Sequence, residues 1–315
     1  MPLPLLWSVW TAAAFMTAVL LVRRLRAWAA ACGVLDIPNA RSSHVEATPR
    51  GGGLAIVAVT LAAAAVACVL HADAAGRLLG AVVPAAAVAA VSWIDDVRSL
   101  SKRLRFTVHL GSAVAATAFL GPVERVDLGG LGTLDLGPAA WPLTVLWIAG
   151  LTNAFNFMDG IDGIAGLTAV VAGLVLAVVT TASGSPAVGG VAAAFAAAAG
   201  GFLTCNWQPA RIFMGDVGSA FCGFLLAVLP LALPREAIPA VLPVAIAPLW
   251  PFILDTGSTL VRRLFAGENI FQAHRSHLYQ RLVIGGWSHG AVAAVYGLLA
   301  AILGGLAILR MRVIG

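Results

Sequence analysis

Charged residues are scarce in this chain of 315 residues. Aspartate, glutamate, lysine and arginine together make up 10% of it, whereas hydrophobic residues make up 60% and the mean hydropathy is +0.95. A soluble globular domain has about a quarter charged residues, and a disordered chain has more charge and less apolar surface than this one. The composition therefore excludes both classes and predicts an integral membrane protein.

The few charged residues are mostly arginines, which lie in short clusters between uncharged runs. Eighteen of the 19 basic residues are arginine, and the formal net charge is +5. A nucleic-acid-binding surface needs clustered basic residues on one face, and this spacing does not provide such a patch. We therefore interpret the basic clusters as markers of membrane topology and expect no nucleic-acid partner.

Uncharged runs long enough to cross a bilayer, about 20 residues, recur along the whole chain. The run 163–210 is 48 residues long and has a turn signal, Ser183-Gly184-Ser185-Pro186, in its middle, so it counts as two spans. The pattern predicts one all-α polytopic membrane domain, 1–315, with about ten transmembrane helices. The predicted spans are the runs 1–22, 52–70, 78–94, 106–123, 136–158, the two halves of 163–210, 217–234, 237–254 and 282–309.

Ten spans divide the connections between them into two sets with different charge. One set holds 14 of the 19 basic residues, and the positive-inside rule places that set in the cytoplasm. Both termini are then expected outside, in a multi-pass protein of the bacterial inner (plasma) membrane. The basic set consists of 23–51, 95–105, 154–162, 206–216 and 255–281.

The largest predicted outer loop, 122–140, contains two alternating runs on either side of a glycine-rich turn. The runs are Val123–Leu128 and Thr133–Leu136, and Gly129-Gly130-Leu131-Gly132 lies between them. Alternation around a glycine turn is typical of a hairpin. The sequence therefore predicts a small extracytoplasmic β-hairpin near 122–138.

Acidic and imidazole side chains gather in the predicted cytoplasmic connections. Carboxylates at the ends of apolar spans are costly unless they are paired, hydrated or bound to a cation. Taken singly, Asp162 or Asp255 is best interpreted as a helix cap or a solvated charge. The group as a whole predicts a functional site, and its members are Asp95, Asp96, Asp159, Asp162, Asp216, His274 and His277.

The segment 153–163 is the densest in polar groups. Asn153, Asn156, Asp159 and Asp162 recur every third residue, which on a helical turn places them along one stripe. Amide and carboxylate oxygens suit Mg²⁺, and they also accept hydrogen bonds from sugar hydroxyls. Both alternatives predict that segment 153–163 binds a ligand, either a metal ion or a sugar.

Two other segments carry features of a phosphate or metal site. Asp216 opens the eighth span, where it would either cap the helix or hold a metal ion. Arg41, Arg50 and the run Gly51–Gly53 precede the second span, and free N–H groups at a helix N-terminus favour phosphate. The glycine run is weak support by itself and matches no Walker motif.

The loop before the last span reads Ala273-His274-Arg275-Ser276-His277. Two histidines three residues apart could bind zinc, but no cysteine or third histidine is near them in the sequence. The arginine between them would repel a cation and attract a phosphate. We therefore expect this loop to bind an anionic substrate.

Five segments together resemble the polyprenyl-phosphate N-acetylhexosaminyl-1-phosphate transferases, the family that includes MraY and the WecA-type enzymes. The resemblance covers roughly residues 30–285. Two features depart from it. Ser99 stands where many members have a third acid or a lysine, and Ala273–His277 is unlike the histidine-rich run of MraY. The sequence looks closer to the branch that initiates O-antigen. The segments are Asp36–His44, Thr48–Gly53, Asp95-Asp96, 153–163 and Phe213–Ser219, and the His/Arg-rich loop before the last span follows them in the family order.

The resemblance implies transfer of N-acetylhexosamine 1-phosphate from a UDP-N-acetylhexosamine to undecaprenyl phosphate at the cytoplasmic face, with release of UMP. It implies Mg²⁺, or Mn²⁺ in its place, bound by Asp216 with help from Asn156. The implied catalytic residues are Asp95 and Asp96, which organise the attacking phosphate, and Asp159 and Asp162, which position the nucleotide or metal. A direct and a covalent route both stay open, and relatives suggest a homodimer by analogy. Substrate contacts are implied for Arg41, His44, Arg50, Asn153, Asn156, His274, Arg275 and His277.

Two other functions fit a polytopic membrane protein with a polar cluster. A CDP-alcohol phosphatidyltransferase would carry two aspartate pairs in one compact stretch, and this chain has none. A secondary transporter usually has internal repeats and a site near the bilayer midplane. Here no repeat is visible and the acids lie at span ends, so a transporter is the weaker alternative.

Overall fold

The structure, a computed structural model, describes the backbone of residues 3–38, 46–269 and 275–314, and it is predominantly helical. Two pairs of short strands, β1 (Leu35–Asp36) with β2 (Thr48–Pro49) and β3 (Arg125–Asp127) with β4 (Thr133–Asp135), accompany the helices. The helices of the described residues are α1 (Leu3–Cys32), α2 (Gly53–Leu70), α3 (Ala72–Arg98), α4 (Lys102–Leu120), α5 (Ala140–Met158), α6 (Ile164–Ala182), α7 (Pro186–Asn206), α8 (Asp216–Val228), α9 (Ile238–Ile246), α10 (Trp250–Phe265), α11 (Leu278–Ile284) and α12 (His289–Ile314).

Seven helical segments in the described parts of the chain are long and apolar enough to cross a bilayer. They correspond to α1, α2, α3, α6, α7, α12 and one segment that joins α9 to α10, Ile238–Phe265. The other three predicted spans contain α4, α5 and the shorter α8. A helix thus lies in each of the ten predicted spans, while the count of ten crossings and the sides of the termini remain predictions.

Two helices differ in extent from the uncharged runs that predicted them. The first helix does not end at Val22 but continues through the arginine cluster to Cys32, because arginine and alanine are strong helix formers and can carry a helix out of the bilayer. The last span does not begin at residue 282, since the short helix α11 ends at Ile284 and α12 begins at His289.

The ninth predicted span is interrupted at its prolines. Helix α9 ends at Ile246, a 3₁₀ turn covers Ala247–Leu249, and α10 begins at Trp250. Pro248 and Pro251 have no N–H group to donate to the preceding turn. The break is therefore a local consequence of the proline spacing that the sequence shows.

Helix α8 is the centre of the bundle, because every residue from Val217 to Val228 is buried. It packs against α2, α3 and α5. The contact with α2 is close enough that a Cβ atom added to Gly53 would lie 2.3 Å from the Cα atom of Gly218. A Cβ atom on Gly223 would likewise lie 2.7 Å from the carbonyl oxygen of Leu151 in α5.

Helix α7 packs against α1, α2 and α6 through small residues. A Cβ atom on Gly173 of α6 would lie 2.9 Å from the Cβ atom of Ala196, and one on Gly201 would lie 2.7 Å from the Cβ atom of Ala18 in α1. Small residues allow helix backbones to approach closely in a membrane protein. The alanine- and glycine-rich composition of α7 thus serves helix packing.

The predicted hairpin forms where two alternating runs flank the glycine turn. Strands β3 and β4 pair antiparallel, with Val126 opposite Leu134 and Arg125 opposite Asp135. A 3₁₀ turn over Gly129–Leu131 connects them. The side of the membrane on which the hairpin lies remains a prediction.

The close contact between α2 and α8 generates a stability prediction. Gly53→Ala should lower the free energy of unfolding by about 1–3 kcal/mol, because the added methyl group overpacks the contact with Gly218. Thermal unfolding in detergent micelles measures this effect. Gly111→Ala is the matched control: a Cβ atom there meets nothing within 4 Å, so it should be neutral or stabilising by up to about 1 kcal/mol. An unchanged melting temperature for Gly53→Ala would contradict the packing described.

Candidate active site

Polar side chains from four helices meet at the N-terminal end of α8. Asp216 is the first residue of α8, the pair Asp95-Asp96 lies in the last turn of α3, Arg105 lies in the first turn of α4, and Asn156 lies in the last turn of α5. These residues are far apart in the sequence. The fold brings three of the predicted polar segments into one cluster at the ends of the helices.

The side chain of Asp96 caps the buried helix α8. Its Oδ1 accepts a hydrogen bond from the backbone N–H of Asp216 at 3.1 Å, and its Oδ2 accepts one from the N–H of Val217 at 3.0 Å. These N–H groups would otherwise be unpaired at the positive end of the helix dipole. Gly215 has φ +76°, and a Cβ atom there would lie 2.6 Å from Asp96 Oδ2, so only glycine fits this approach.

Asp216 itself is oriented by two neighbours and still reaches solvent. Asn156 Nδ2 donates to Asp216 Oδ1 at 3.0 Å and to Ser219 Oγ at 2.8 Å, and Arg105 Nη1 donates to Asp216 Oδ2 at 2.6 Å. The Asp216 side chain remains 34% exposed. Of the two alternatives for Asp216, capping does not occur, because Asp96 provides the cap and the Asp216 carboxylate faces its partners across the cluster.

Arg105 joins two of the candidate carboxylates, and the sequence did not indicate this role. Its Nη1 lies 2.5 Å from Asp95 Oδ2 and 2.6 Å from Asp216 Oδ2. Asp95 Oδ1 accepts from the N–H of Leu100 at 2.6 Å, in a turn where Ser99 has φ +51°. The signal that could have found Arg105 is the helix cap Ser101, which starts α4 just beyond the aspartate pair and places position 105 one turn into that helix.

Asp159 is the acid of the cluster with the fewest hydrogen bonds to the described residues. It is half-buried, and within the described residues no group donates a hydrogen bond to its carboxylate. Burial raises the pKa of Asp159 well above its usual value, and the negative charges of Asp216, Asp96 and Asp162 raise it further. An acid in this setting is favourably ionised only when a cation is near.

Asp162 and Asn153 continue the polar stripe but have protein partners. Asp162 Oδ2 accepts from the N–H of Ala210 at 3.1 Å, and its Oδ1 lies 3.4 Å from Nδ1 of His289 at the start of α12. Asn153 Nδ2 donates to the carbonyl of Ala149 in its own helix. The interpretation of Asp162 taken singly, as a helix cap or a solvated charge, was wrong: Ala210 lies between α7 and α8 rather than at a helix start, and the Asp162 side chain is only 12% exposed. Its catalytic role stays a prediction.

Two of the three N–H groups in the glycine run before α2 are not open for phosphate, contrary to the sequence-based expectation. The N–H of Gly52 donates to the carbonyl of Phe213 and that of Gly53 to the carbonyl of Met214, both at 2.9 Å. Arg50 does reach the cluster: it donates to the backbone carbonyl of Asp96, and its Nη1 lies 3.9 Å from Asp96 Oδ1. The glycine run therefore fixes the position of Phe213 and Met214, just before Asp216, through backbone hydrogen bonds.

Only part of the histidine and arginine loop is within the described residues. The candidate substrate contacts Arg41, His44 and His274 lie outside them. Arg275 has a buried Nε with no hydrogen-bond partner in the described part of the chain. His277 is 4% exposed, precedes α11, and its Nδ1 lies 3.3 Å from Asp255 Oδ1. His277 thus helps to position the loop, and substrate contact by it stays a prediction.

Asp255 organises this loop from α10 and is 3% exposed. The interpretation of Asp255 as a helix cap is confirmed, since it accepts from two N–H groups at the start of α11. Its partners are the N–H of Leu278 at 2.8 Å, the N–H of Tyr279 at 3.0 Å, Tyr296 Oη at 2.7 Å, Thr259 Oγ1 at 3.3 Å and His277 Nδ1 at 3.3 Å.

Tyr279 connects the loop to the polar stripe after α5. Its hydroxyl donates to the carbonyl of Phe157 at 3.0 Å, and a Cβ atom on Gly160 would lie 2.0 Å from that hydroxyl oxygen. Burial raises the pKa of Tyr279, as do the negative charges of Asp159 and Asp255, so the hydroxyl keeps its proton and can donate. This hydrogen bond connects the loop before α11 to the C-terminal end of α5.

The donor set fits a magnesium ion that is shared with a substrate. In the part of the chain that the structure describes, no three His, Cys, Asp or Glu side chains form a metal cage. Mg²⁺ is usually bound by one or two protein carboxylates together with phosphate oxygens and water. Asp216, whose side chain is 34% exposed, and Asp159, whose carboxylate accepts no hydrogen bond among the described residues, are the two carboxylates of the cluster that would suit such an ion.

Comparisons with known proteins identify a family and several relatives. The family described as Glycosyl transferase family 4 matches residues 78–233. The probable undecaprenyl-phosphate N-acetylglucosaminyl 1-phosphate transferase of Bacillus subtilis (strain 168) is 33% identical over 261 residues, which cover 82% of this chain and 72% of that protein.

Two further relatives have related names. The decaprenyl-phosphate N-acetylglucosaminephosphotransferase of Mycobacterium leprae (strain TN) is 30% identical and covers 81% of this chain and 71% of its own. The phospho-N-acetylmuramoyl-pentapeptide-transferase of Synechococcus sp. (strain JA-3-3Ab) is 31% identical, and the match covers 90% of this chain and 86% of that protein. All three names describe transfer of a phosphosugar.

The Asp255 network generates a second prediction. Asp255→Asn should lower the free energy of unfolding by about 1–3 kcal/mol, because the amide replaces one acceptor with a donor and leaves buried N–H groups unpaired. Tyr296→Phe removes only one hydrogen bond and should cost about 1 kcal/mol. Melting temperatures in detergent compare the two. Equal stability of Asp255→Asn and the unsubstituted protein would show that the network does not hold the loop.

Proposed function

The chain belongs to glycosyl transferase family 4 and is a phosphoglycosyltransferase, and we propose that it transfers N-acetylhexosamine 1-phosphate from a UDP-sugar to undecaprenyl phosphate. The products are undecaprenyl diphosphate sugar and UMP. The reaction takes place at the cytoplasmic face of the bacterial plasma membrane and starts a cell-envelope polysaccharide, for which O-antigen is the candidate that the sequence resemblance favours.

The observation that carries this proposal is the meeting of Asp95, Arg105, Asn156 and Asp216 at the N-terminus of α8. Transfer between a nucleotide diphosphate and a lipid phosphate brings two anions together. Catalysis of such a step consists mainly of positioning and charge neutralisation. A cluster that combines oriented carboxylates, a guanidinium group and the positive end of a helix dipole supports both tasks.

In the proposed step an oxygen of the lipid phosphate bonds to the β-phosphorus of the UDP-sugar. The bond from that phosphorus to the bridging oxygen breaks, and UMP leaves with the electron pair. A phosphate monoester has its second pKa near about 6 and is largely ionised at neutral pH, so it needs little help from a base. We favour this direct route, since both Asp96 oxygens already accept backbone hydrogen bonds from α8.

Asp216 is the proposed main ligand of Mg²⁺, with Asp159 and Asn156 beside it. A bound Mg²⁺ supplies positive charge that stabilises the leaving diphosphate oxygen. Asn156 orients the Asp216 carboxylate through its Nδ2, and Asp96 sets the position of the residue through the backbone. Asp96 thereby acts as a positioning residue for the site.

Arg105 and Arg50 are the proposed cationic partners of the phosphates. Arg105 uses only Nη1 in its bonds to Asp95 and Asp216 among the described residues, which leaves Nε and Nη2 as donors. Arg50 is 31% exposed beside Asp96. A guanidinium group matches the geometry of phosphate oxygens, so these two residues support binding of both anions.

UDP-N-acetylglucosamine is the first sugar nucleotide to test, because the Bacillus and Mycobacterium relatives are named as N-acetylglucosamine phosphate transferases. Arg275 in the loop before α11 is a proposed contact for the diphosphate or the sugar. Its buried Nε without a partner among the described residues supports that assignment.

The reaction is tested by UMP release from purified protein with Mg²⁺, undecaprenyl phosphate and a panel of UDP-N-acetylhexosamines. We expect UMP only when lipid and Mg²⁺ are both present. Asp216→Asn should lower the rate by about 100- to 1,000-fold, because it removes charge stabilisation worth several kcal/mol.

The control for this variant is Asp135→Asn in β4. Asp135 pairs with Arg125 on the exposed hairpin, far in sequence from the cluster, so its loss should leave the rate within about twofold. Lipid-independent UMP release, or full activity of Asp216→Asn, would refute the proposed site.

Arg105→Gln tests the bridging guanidinium. We expect kcat to fall about 10- to 100-fold, because charge-assisted hydrogen bonds of about 1.5–3 kcal/mol are lost. Arg103→Gln, an exposed arginine of the same helical turn without a carboxylate partner among the described residues, should be near normal. Equal rates for both variants, at equal melting temperatures, would exclude a role for Arg105.

A further inference from the structure

An open surface cavity of about 410 Å³ lies between α1, the C-terminal end of α7 and the loop that follows it, outside the catalytic cluster, and its three arginines are exposed. Arg23, Arg26 and Arg211 line it together with small or weakly polar residues, Ala27, Ala30 and Cys205. Ligand pockets commonly have volumes of about 300–1,000 Å³. The cavity is therefore large enough for a phosphate-bearing group.

The cavity wall on α1 is one defined helix face. Positions 23, 26, 27 and 30 follow the spacing of a single helical stripe, and this stripe adjoins the one through which Ala18, Val22 and Ala29 are buried. Arg24 lies about 100° further around the helix than Arg23 and does not line the cavity. Two of the three arginines after the apolar run thus face the cavity.

The third arginine comes from a distant part of the chain and is held in place. The backbone N–H of Arg211 donates to the carbonyl of Cys205 at 2.8 Å, and its Nη2 donates to the carbonyl of Thr204 at 2.7 Å. The remaining guanidinium nitrogens face no carboxylate: within the described ranges no acidic side chain lies within 4 Å of Arg23, Arg26 or Arg211. Three like charges without a counter-ion favour an anion.

Two exposed tryptophans indicate the depth of this cavity in the membrane. Trp28 is 44% exposed two residues after Arg26, and Trp207 is 41% exposed four residues before Arg211. Exposed tryptophan is enriched at the interface between headgroups and acyl chains. The anion that reaches the cavity at this level is a lipid headgroup, and basic pockets between membrane helices bind such headgroups.

We infer that the Arg23–Arg26–Arg211 cavity binds the phosphate of an anionic bilayer phospholipid. The site is separate from the transfer reaction, because none of its lining residues contacts Asp95, Asp216 or Arg105. The occupant holds α1 against the loop that leads from α7 to Asp216. Neither the sugar nucleotide nor undecaprenyl phosphate takes part in it.

The test is a titration of delipidated protein in neutral detergent with phosphatidylglycerol, with bound lipid counted by native mass spectrometry. The triple variant R23Q/R26Q/R211Q should raise the half-saturating lipid concentration by about 100-fold, and Arg211→Gln alone by about fivefold, at roughly one charge contact per arginine. Arg24→Gln is the matched control and should stay within about twofold. R23K/R26K/R211K keeps the charge and should retain most of the binding.

Two further arms identify the source of the anion. Phosphatidylcholine should not bind at concentrations where phosphatidylglycerol saturates, and millimolar inorganic phosphate should not displace bound phosphatidylglycerol. The proposal is overturned if the triple variant binds as tightly as the unsubstituted protein, if Arg24→Gln loses the same affinity, or if phosphatidylcholine binds equally. Displacement by inorganic phosphate would overturn the lipid assignment in favour of a free-anion site.

Discussion

The capping of α8 by Asp96 is the interaction on which the rest of the site depends. A carboxylate at the end of α3 accepts the first two N–H groups of a helix that is buried from Val217 to Val228. This contact fixes the relative position of α3 and α8, and with it the distance between Asp95 and Asp216. Arg105 can bridge those two carboxylates only because the cap has already brought them together. One hydrogen-bonded acid thus determines the geometry of its neighbours.

Five acids near the site fall into two groups that the sequence alone does not separate. The carboxylate oxygens of Asp96, Asp162 and Asp255 contact backbone N–H groups or histidine. Each of these acids thereby connects two segments of the chain. Asp159 has no hydrogen-bond donor among the described residues, and Asp216 keeps a third of its side chain exposed. The first group stabilises the scaffold through satisfied polar contacts. The second group has unused capacity for a cation and a substrate.

Hydropathy predicted much of the fold, because a bilayer admits little besides apolar helices. A helix lies in each uncharged run, and the hairpin between Arg125 and Asp135 forms at the glycine turn. The continuation of α1 past Arg24 and the separation of α11 from α12 were missed, since helices extend beyond the membrane wherever helix formers continue. Arg105 was missed because its role depends on how α3, α4 and α8 meet, which periodicity does not encode.

The cluster at the start of α8 contains more acidic than basic side chains, which is unfavourable in a membrane protein. An ionised group at the end of an apolar span is costly unless the protein or a ligand satisfies it. In the cluster at α8 most of the carboxylate oxygens have such partners, and Arg105 supplies the positive charge nearest to Asp95 and Asp216. The negative charges that remain raise the pKa of Asp159, so the cluster as a whole has more acid than its own cations balance. The excess is relieved either by a proton on Asp159 or by a bound cation, and the Mg²⁺ proposed above would be that cation.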